Sequence, residues 1–318
     1  MKYKILMIGK PGGNLVRTYD WHIKALNNDS QKRYQVDCIH SLGNKVNLAD
    51  YNIFWFYAKA FQPQLYHTIK QLMPHSKTIF GPNILLDKPD LGPSDEWDNW
   101  YINHCNPDIH LDQVAFYSDH VNKFLREDVR KTSRCLNKCI ELDDNLYKPD
   151  TKKIYDCLIY SKKRRYDVNF EDFRYELLLL LEKNNIKFCE IPAGKFGKYE
   201  RKDYFDLLNK SKVTVNLSLD ECPGILNYES MFLNVPVIGS PHNVPITSAK
   251  ALHVLNTDEM TSKYLVRKKS AAEKYFKKIK AFLSGEIKLE SNHREWVLKE
   301  TSFKKYCDRL ENLIKEVK

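Results

Sequence analysis

The chain has 318 residues, 42% hydrophobic and 12% aromatic, a balance that excludes disorder and suits two domains of about 150 residues each. It contains no apolar run long enough for a spanning helix. Its formal charge of +10 leaves three partner classes to separate: nucleic acid, an anionic membrane surface, and a phosphorylated small molecule.

The N-terminal stretch MKYKILMIGKPGG is too short in apolar residues for a secretion signal and reads as a first strand, so the chain is expected to stay in the cytosol. In the first half, strands are expected at residues 4–8, 34–40, 53–56, 78–80 and 114–117, with helices at 16–26, 64–72 and 121–129. Residues 87–112, rich in aspartate and tryptophan (Asp95, Trp97, Asp98, Trp100), read as a long loop. The polar, proline-containing run DDNLYKPDTKK at 143–153 marks a domain boundary.

In the second half, strands are expected at 155–160, 187–190, 213–217, 237–238 and 253–255, with helices at 170–184, 202–210, 227–232 and 270–284. A terminal helix pair at 291–317 carries apolar spacing at Trp296, Phe303, Tyr306, Leu310 and Leu313. Strands alternating with helices on both sides of the boundary give an α/β fold of two Rossmann-like domains with parallel sheets. Two such domains facing across a cleft would hold a ligand at the C-terminal ends of their strands.

The eight cysteines match neither a disulfide framework nor a zinc ribbon. Cys135 and Cys139, four apart in an expected short helix, have no second pair to complete a metal site. Reduced structural thiols are the expectation. Of the basic clusters, Lys162-Lys163-Arg164-Arg165 ends a strand, which favours a phosphate site. Arg267–Lys269 with Lys277, Lys278 and Lys280 lies on a helix and reads as a solvated face, with a peripheral membrane contact as the other reading. No nucleic-acid module is visible, so nucleic acid is not an expected partner.

The informative segment is KVTVNLSLDECPGILNYESMFLNVPVIGS, residues 212–240. A strand runs into a loop that opens a helix near Ile225, which aims backbone N–H groups at a positive helix end suited to a pyrophosphate. Gly224 allows close backbone approach to a ligand. Glu221 in the loop and Glu229 on the helix can both point into one pocket, where carboxylates accept hydrogen bonds from sugar hydroxyls.

This E-x7-E pattern, followed by N-V-P-V-I-G, resembles the donor-site signature of retaining GT-B glycosyltransferases of the family 4-like group. The resemblance implies a GT-B fold: an acceptor domain at 1–147, a nucleotide-sugar donor domain at 148–295, and a terminal helix, 296–318, that packs back on the first domain with Trp296 as anchor. It implies that Glu229 holds the ribose hydroxyls and that Glu221 lies by the transferred sugar. The amides of Gly224, Ile225 and Leu226, with Asn227, would line the donor. Lys162 and Arg164 are the favoured pair of the basic tetrad, placed to neutralise the departing diphosphate. Gly12 and Gly13 match a glycine pair that faces the donor phosphates, though a plain strand–helix turn would explain them equally.

The sequence departs from the family at one point: neither Phe54–Lys59 nor Phe80–Asn83 supplies the histidine that many members aim at the reacting sugar. Lys59, Asn83, Asp119 and His120 are candidate cleft residues in its place. The Asp- and Trp-rich segment would either anchor a loop or stack an acceptor sugar. The expected reaction moves a hexosyl-type sugar from a UDP- or GDP-linked donor to a glycan or glycoconjugate, with retention. No cofactor and no metal is expected, since there is no D-x-D motif at a strand end. The rivals are a GT-B nucleotide-sugar epimerase and a non-catalytic protein that binds nucleotide sugars.

Overall fold

A computed structural model of the chain describes residues 2–9, 15–39, 46–57, 63–81, 105–112, 131–162, 167–192, 201–218, 224–239, 265–266, 270–287 and 292–317. The elements begin with β1 (Tyr3–Ile8), α1 (Leu15–Asn27), β2 (Tyr34–Ile39), β3 (Ile53–Phe56), α2 (Pro63–Leu72), β4 (Lys77–Phe80), β5 (Ile109–Asp112) and β6 (Ser133–Cys135). They continue with β7 (Tyr155–Ser161), β8 (Asp167–Val168), α3 (Phe170–Lys183), β9 (Phe188–Pro192), α4 (Arg201–Asn209), β10 (Ser211–Asn216) and α5 (Ile225–Phe232). Last come β11 (Val237–Ile238), β12 (Leu265–Val266), α6 (Ala271–Leu283), α7 (His293–Glu300) and α8 (Phe303–Glu316). The chain divides into two units, Met1–Glu141 with Lys299–Lys318, and Leu142–Leu298.

The first unit is built on a six-stranded parallel sheet of order β2-β1-β3-β4-β5-β6. Strands covered on both faces read as continuous apolar runs, and Ile5-Leu6-Met7-Ile8 and Ile53-Phe54-Trp55-Phe56 are buried throughout. α8 belongs to this unit. Its Tyr306, Cys307, Leu310 and Ile314 fall on one face and are buried, and Ser302 caps its start by accepting from the Lys305 amide. Tyr306 stacks on the buried His22 ring at 4.8 Å, while His22 Nδ1 meets the Tyr57 hydroxyl at 3.2 Å. Tyr34 donates to the Cys307 carbonyl at 2.8 Å.

Arg33 ties the same helix at its edge. It donates to both oxygens of Asp29, at 2.8 and 2.9 Å, to Asp308 at 2.7 Å and to Glu311 at 3.0 Å. Lys77 closes the far end, donating to the carbonyls of Ile314 and Val317.

The second unit carries a four-stranded parallel sheet of order β11-β10-β7-β9 and a separate parallel pair, β12-β8. α3 and α6 cover one core, where Phe173, Leu177 and Leu181 meet Tyr275 and Ile279 beside Cys157, Ile159, Val213 and Val215. α6 turns Lys277 and Lys280 to solvent. Arg294 of α7 lies over the rings of Tyr147 and Phe232, at 4.0 and 4.1 Å, and donates to Asp144 at 2.6 Å and to the Phe232 carbonyl at 2.9 Å.

Three expectations change. Ile109–Asp112, read as the end of a long loop, is a strand: Ile109 and His110 pair with Ile79 and Phe80 of β4. Cys135 is not helical; it ends β6, whose three residues pair with His110, Leu111 and Asp112, and Cys139 follows in an irregular buried stretch. Trp296 is not the anchor of the returning helix. It sits half-buried on α7 in the second unit, and the anchors on the first are Tyr306, Cys307, Leu310 and Ile314. The expected strands at 114–117 and 253–255, and the helix at 121–129, lie outside the described residues.

Candidate donor site

Within the four-stranded sheet of the second unit, β7 is the first strand in the chain, β9 the second and β10 the third, so the direction of winding reverses between β7 and β10. A doubly wound sheet offers its ligand crevice at such a reversal, beyond the C-terminal ends of the strands. Asn216 is paired with Tyr160 in the register, and the Leu217 amide donates to the Tyr160 carbonyl at 3.0 Å. The chain therefore leaves both strands at one level, with Ser161 and Lys162 on one side and Leu217 and Ser218 on the other. Lys162 is half-buried there.

Buried polar residues fix the course of the chain beyond β10. The Asn216 side chain accepts from the Ser218 amide at 2.9 Å and donates to Asn227 Oδ1 at 2.9 Å. The end of the strand is thereby tied to the first turn of α5. One turn further on, the hydroxyls of Thr214 and Ser230 meet at 2.7 Å, and Ser230 donates to the Val235 carbonyl at 3.0 Å. Asn227 and Ser230 thus face β10, which leaves Glu229, between them on the helix, to face elsewhere.

α5 ends in a Schellman turn. The Val235 amide bonds Ser230 O at 3.0 Å, the Asn234 amide bonds Met231 O at 2.9 Å, and Asn234 takes the left-handed conformation at φ 57°. Pro236 then stops the helix, and its carbonyl accepts from Thr214 at 2.8 Å as β11 begins. The N-V-P-V-I-G run is thus a helix stop that seats the next strand.

Gly224 caps the start of α5 at φ −58°, a conformation open to any residue. Its value to a site is then the missing side chain alone. The amides of Gly224, Ile225 and Leu226 open the helix, where orphan N–H groups and the dipole favour an anion. The Asn227 amide bonds the Gly224 carbonyl at 3.0 Å, and its side chain is committed to Asn216.

Glu229 is 4% exposed. Its Oε1 lies 3.5 Å from the Arg201 guanidinium. Burial, and then the Glu229 carboxylate beside it, push the Tyr204 phenol well above its ordinary range. Arg201 and Tyr204 were not singled out by sequence; only a helix was legible there. In the middle of β9, Glu190 accepts from the Ser161 hydroxyl and from two nitrogens of Arg174. Burial opposes its charge, but Arg174 and Ser161 together hold it below the usual carboxylate range.

Lys162 directly follows β7, and Gly224, Ile225, Leu226, Asn227 and Glu229 lie at the opening and along α5, the next described element after β10, the strand paired with β7. Glu221, Arg164, Gly12 and Gly13 lie outside the described residues, as do Lys59, Asn83, Asp119 and His120. Among the described residues, no three His, Cys, Asp or Glu side chains cluster to hold a metal, and no helix is long and apolar enough to cross a membrane.

No protein-family model matches the chain, and no curated protein matches its sequence. Solved structures do match its fold. Sucrose-phosphate synthase from Thermosynechococcus elongatus aligns over 99% of this chain and 98% of its own, with a TM-score of 0.59 and 13% identity. The lipopolysaccharide outer core galactosyltransferase WaaB aligns over 98% of this chain and 99% of its own, at 0.57 and 11%. TarM aligns over 82% of this chain, at 0.55 and 11%, and the match spans only 54% of TarM. The chain therefore has the GT-B fold, an α/β architecture with parallel sheets.

Proposed function

We propose that the chain is a glycosyltransferase that moves a hexosyl-type sugar from a nucleotide diphosphate sugar, UDP- or GDP-linked, to a glycan or glycoconjugate. The observation that carries this reading is the winding reversal of the second sheet between β7 and β10, with Lys162 following the one strand and α5, which carries the buried Glu229, following the other. Such a site matches the three parts of a nucleotide sugar. The ribose diol would meet Glu229, the diphosphate the α5 amides, and the sugar Glu221. The solved GT-B structures named above, one of them a galactosyltransferase by name, support the same class.

In this reading charge builds on the diphosphate as the glycosidic bond breaks, and Lys162, Arg164 and the amides of Gly224, Ile225 and Leu226 take it up. A fixed positive site costs no reorganisation at that moment and does the work that a divalent cation does elsewhere. The resemblance of the E-x7-E segment to family 4-like enzymes favours transfer with retention.

The test is a thermal-shift screen of the full chain with UDP, GDP, ADP, CMP and their common sugar conjugates. One nucleotide series should raise the melting temperature, and Glu229→Ala should abolish the rise. Absence of a shift with every compound would sink the reading.

A further inference from the structure

Two buried carboxylates invite comparison. Asp29 is held by Arg33 through three donors at 2.8–3.0 Å, a closed structural pair. Glu229 stands 3.5 Å from Arg201, whose side chain is 40% exposed. Arg201 opens α4, where the helix dipole disfavours a cation, so local helix energetics do not explain an arginine there. Its guanidinium lies over the Phe205 ring at 5.0 Å, which fixes the side chain's course. Tyr204, in the same first turn, is buried, and burial followed by the charge of Glu229 raises its phenol. The first turn of α4 thus supplies a guanidinium to a carboxylate on α5.

We infer that Arg201 is a positioning residue that holds the Glu229 carboxylate oriented for the vicinal hydroxyls of a ribose, and so makes the site selective for ribonucleotides over 2′-deoxyribonucleotides. This rests on the ribose role of Glu229 proposed above. A carboxylate offers about four acceptor positions, so it can keep its guanidinium partner and still take two hydroxyl donors. An ionised carboxylate accepts from both; a protonated one would present its own O–H to the diol. The Arg201 guanidinium, 3.5 Å away, sets the direction in which the carboxylate points. A ligand lacking the 2′-hydroxyl leaves one acceptor position of a buried, charged group unfilled, which is the arrangement that discriminates most sharply between a hydroxyl and its absence.

The experiment is isothermal titration calorimetry of the full chain with UDP, GDP, ADP and CDP and their 2′-deoxy forms. The wild type should bind one ribonucleotide about tenfold or more tighter than its deoxy form. Arg201→Ala should bring that gap to within about threefold by weakening the ribonucleotide alone. Arg201→Lys should restore part of the gap. Arg201→Gln replaces Arg201→Ala if the alanine variant melts too low to titrate. Equal weakening of both forms would mean that the guanidinium serves the phosphates, and no change in either would make it a bystander; both overturn the inference. Glu229→Gln separates the two levels. If it closes the gap while Arg201→Ala does not, only the positioning role of Arg201 fails. If it leaves the gap intact, or if the wild type binds none of the eight compounds, the ribose reading itself fails.

Discussion

Arg33 donates to Asp308 at 2.7 Å although 275 positions of sequence separate them. The same guanidinium holds Asp29 and Glu311, so one buried side chain joins the α1–β2 turn to the last helix of the chain. Truncating it would strand Asp29, whose side chain is almost wholly buried. Arg33→Ala should therefore destabilise the first unit by about 3 kcal/mol, measured by urea unfolding. Arg33→Lys should recover only part, because an ammonium cannot reproduce the planar fork. A loss within error of zero would mean that α8 is held without the pair.

Acid should act on the same unit through His22. Burial, then the charge of Lys138, lowers its imidazole from 6.5 to about 3. As pH falls below 6.5, the unfolded chain takes the proton and the folded chain does not. Stability is therefore full above 6.5 and is lost progressively between 6.5 and about 3. His293 in the second unit is lowered by burial and contributes with the same sign. Glu311, held down at about 2 by Lys315, Lys2 and Arg33, adds its loss only below the ordinary carboxylate range. His22→Asn keeps an acceptor for Tyr57 and should reduce the slope of unfolding free energy near pH 5 by about 1.4 kcal/mol per pH unit. An unchanged slope would place the acid sensitivity elsewhere.

Gly81 follows β4 at φ 103°, and a Cβ there would collide with the Leu111 carbonyl oxygen. Its own carbonyl accepts from Trp55 Nε1 at 2.7 Å, so the backbone cannot shift without releasing a buried indole. Gly81→Ala should cost more than about 2 kcal/mol, above the range of ordinary surface substitutions. Thermal unfolding would show it, and a near-neutral result would mean that β5 can move away.

Asn234 is the converse case, a non-glycine in the left-handed region that ends α5. Asn234→Gly should be neutral or stabilising, whereas Asn234→Ala should cost about 1 kcal/mol. If alanine were as stable as glycine, the Schellman turn would not be what terminates the helix.

Replacing Lys162 and Arg164 together should lower turnover more than donor affinity, since their proposed task is to stabilise charge that forms as the diphosphate departs. Equal losses in kcat and in donor binding would reduce them to ground-state contacts. Steady-state rates and calorimetric affinities on the double variant decide it.

Much of this fold was legible because parallel strands advertise themselves. Ile5-Leu6-Met7-Ile8 and Cys157-Leu158-Ile159-Tyr160 are buried on both faces, and such strands read as apolar runs. The short strands β5 and β6 did not. Ile-His-Leu-Asp alternates for only four residues beside an Asp- and Trp-rich stretch, Ser-Arg-Cys has no strand pattern, and both are extended where a neighbour pairs with them. The helix opening at Gly224 was visible as a strand, a Pro-Gly turn and an apolar stretch. Arg201 beside Glu229, and Asn216 bonded to Asn227, were not. Those partners come from different elements, and no spacing rule along the chain links them.

The placement of α8 orders events during synthesis. Leu142–Leu298 forms its unit from one uninterrupted stretch, so a ribosome delivers every part of it before α8 appears. The first unit has by then waited through about half of the chain's synthesis with the His22 ring lacking its Tyr306 cover and Arg33 lacking two of its carboxylates. The domain begun first is therefore the domain finished last, and the nascent chain carries an open aromatic face for the interval. Chaperone dependence and sensitivity to proteolysis during translation should concentrate on that face and end when the last helix docks.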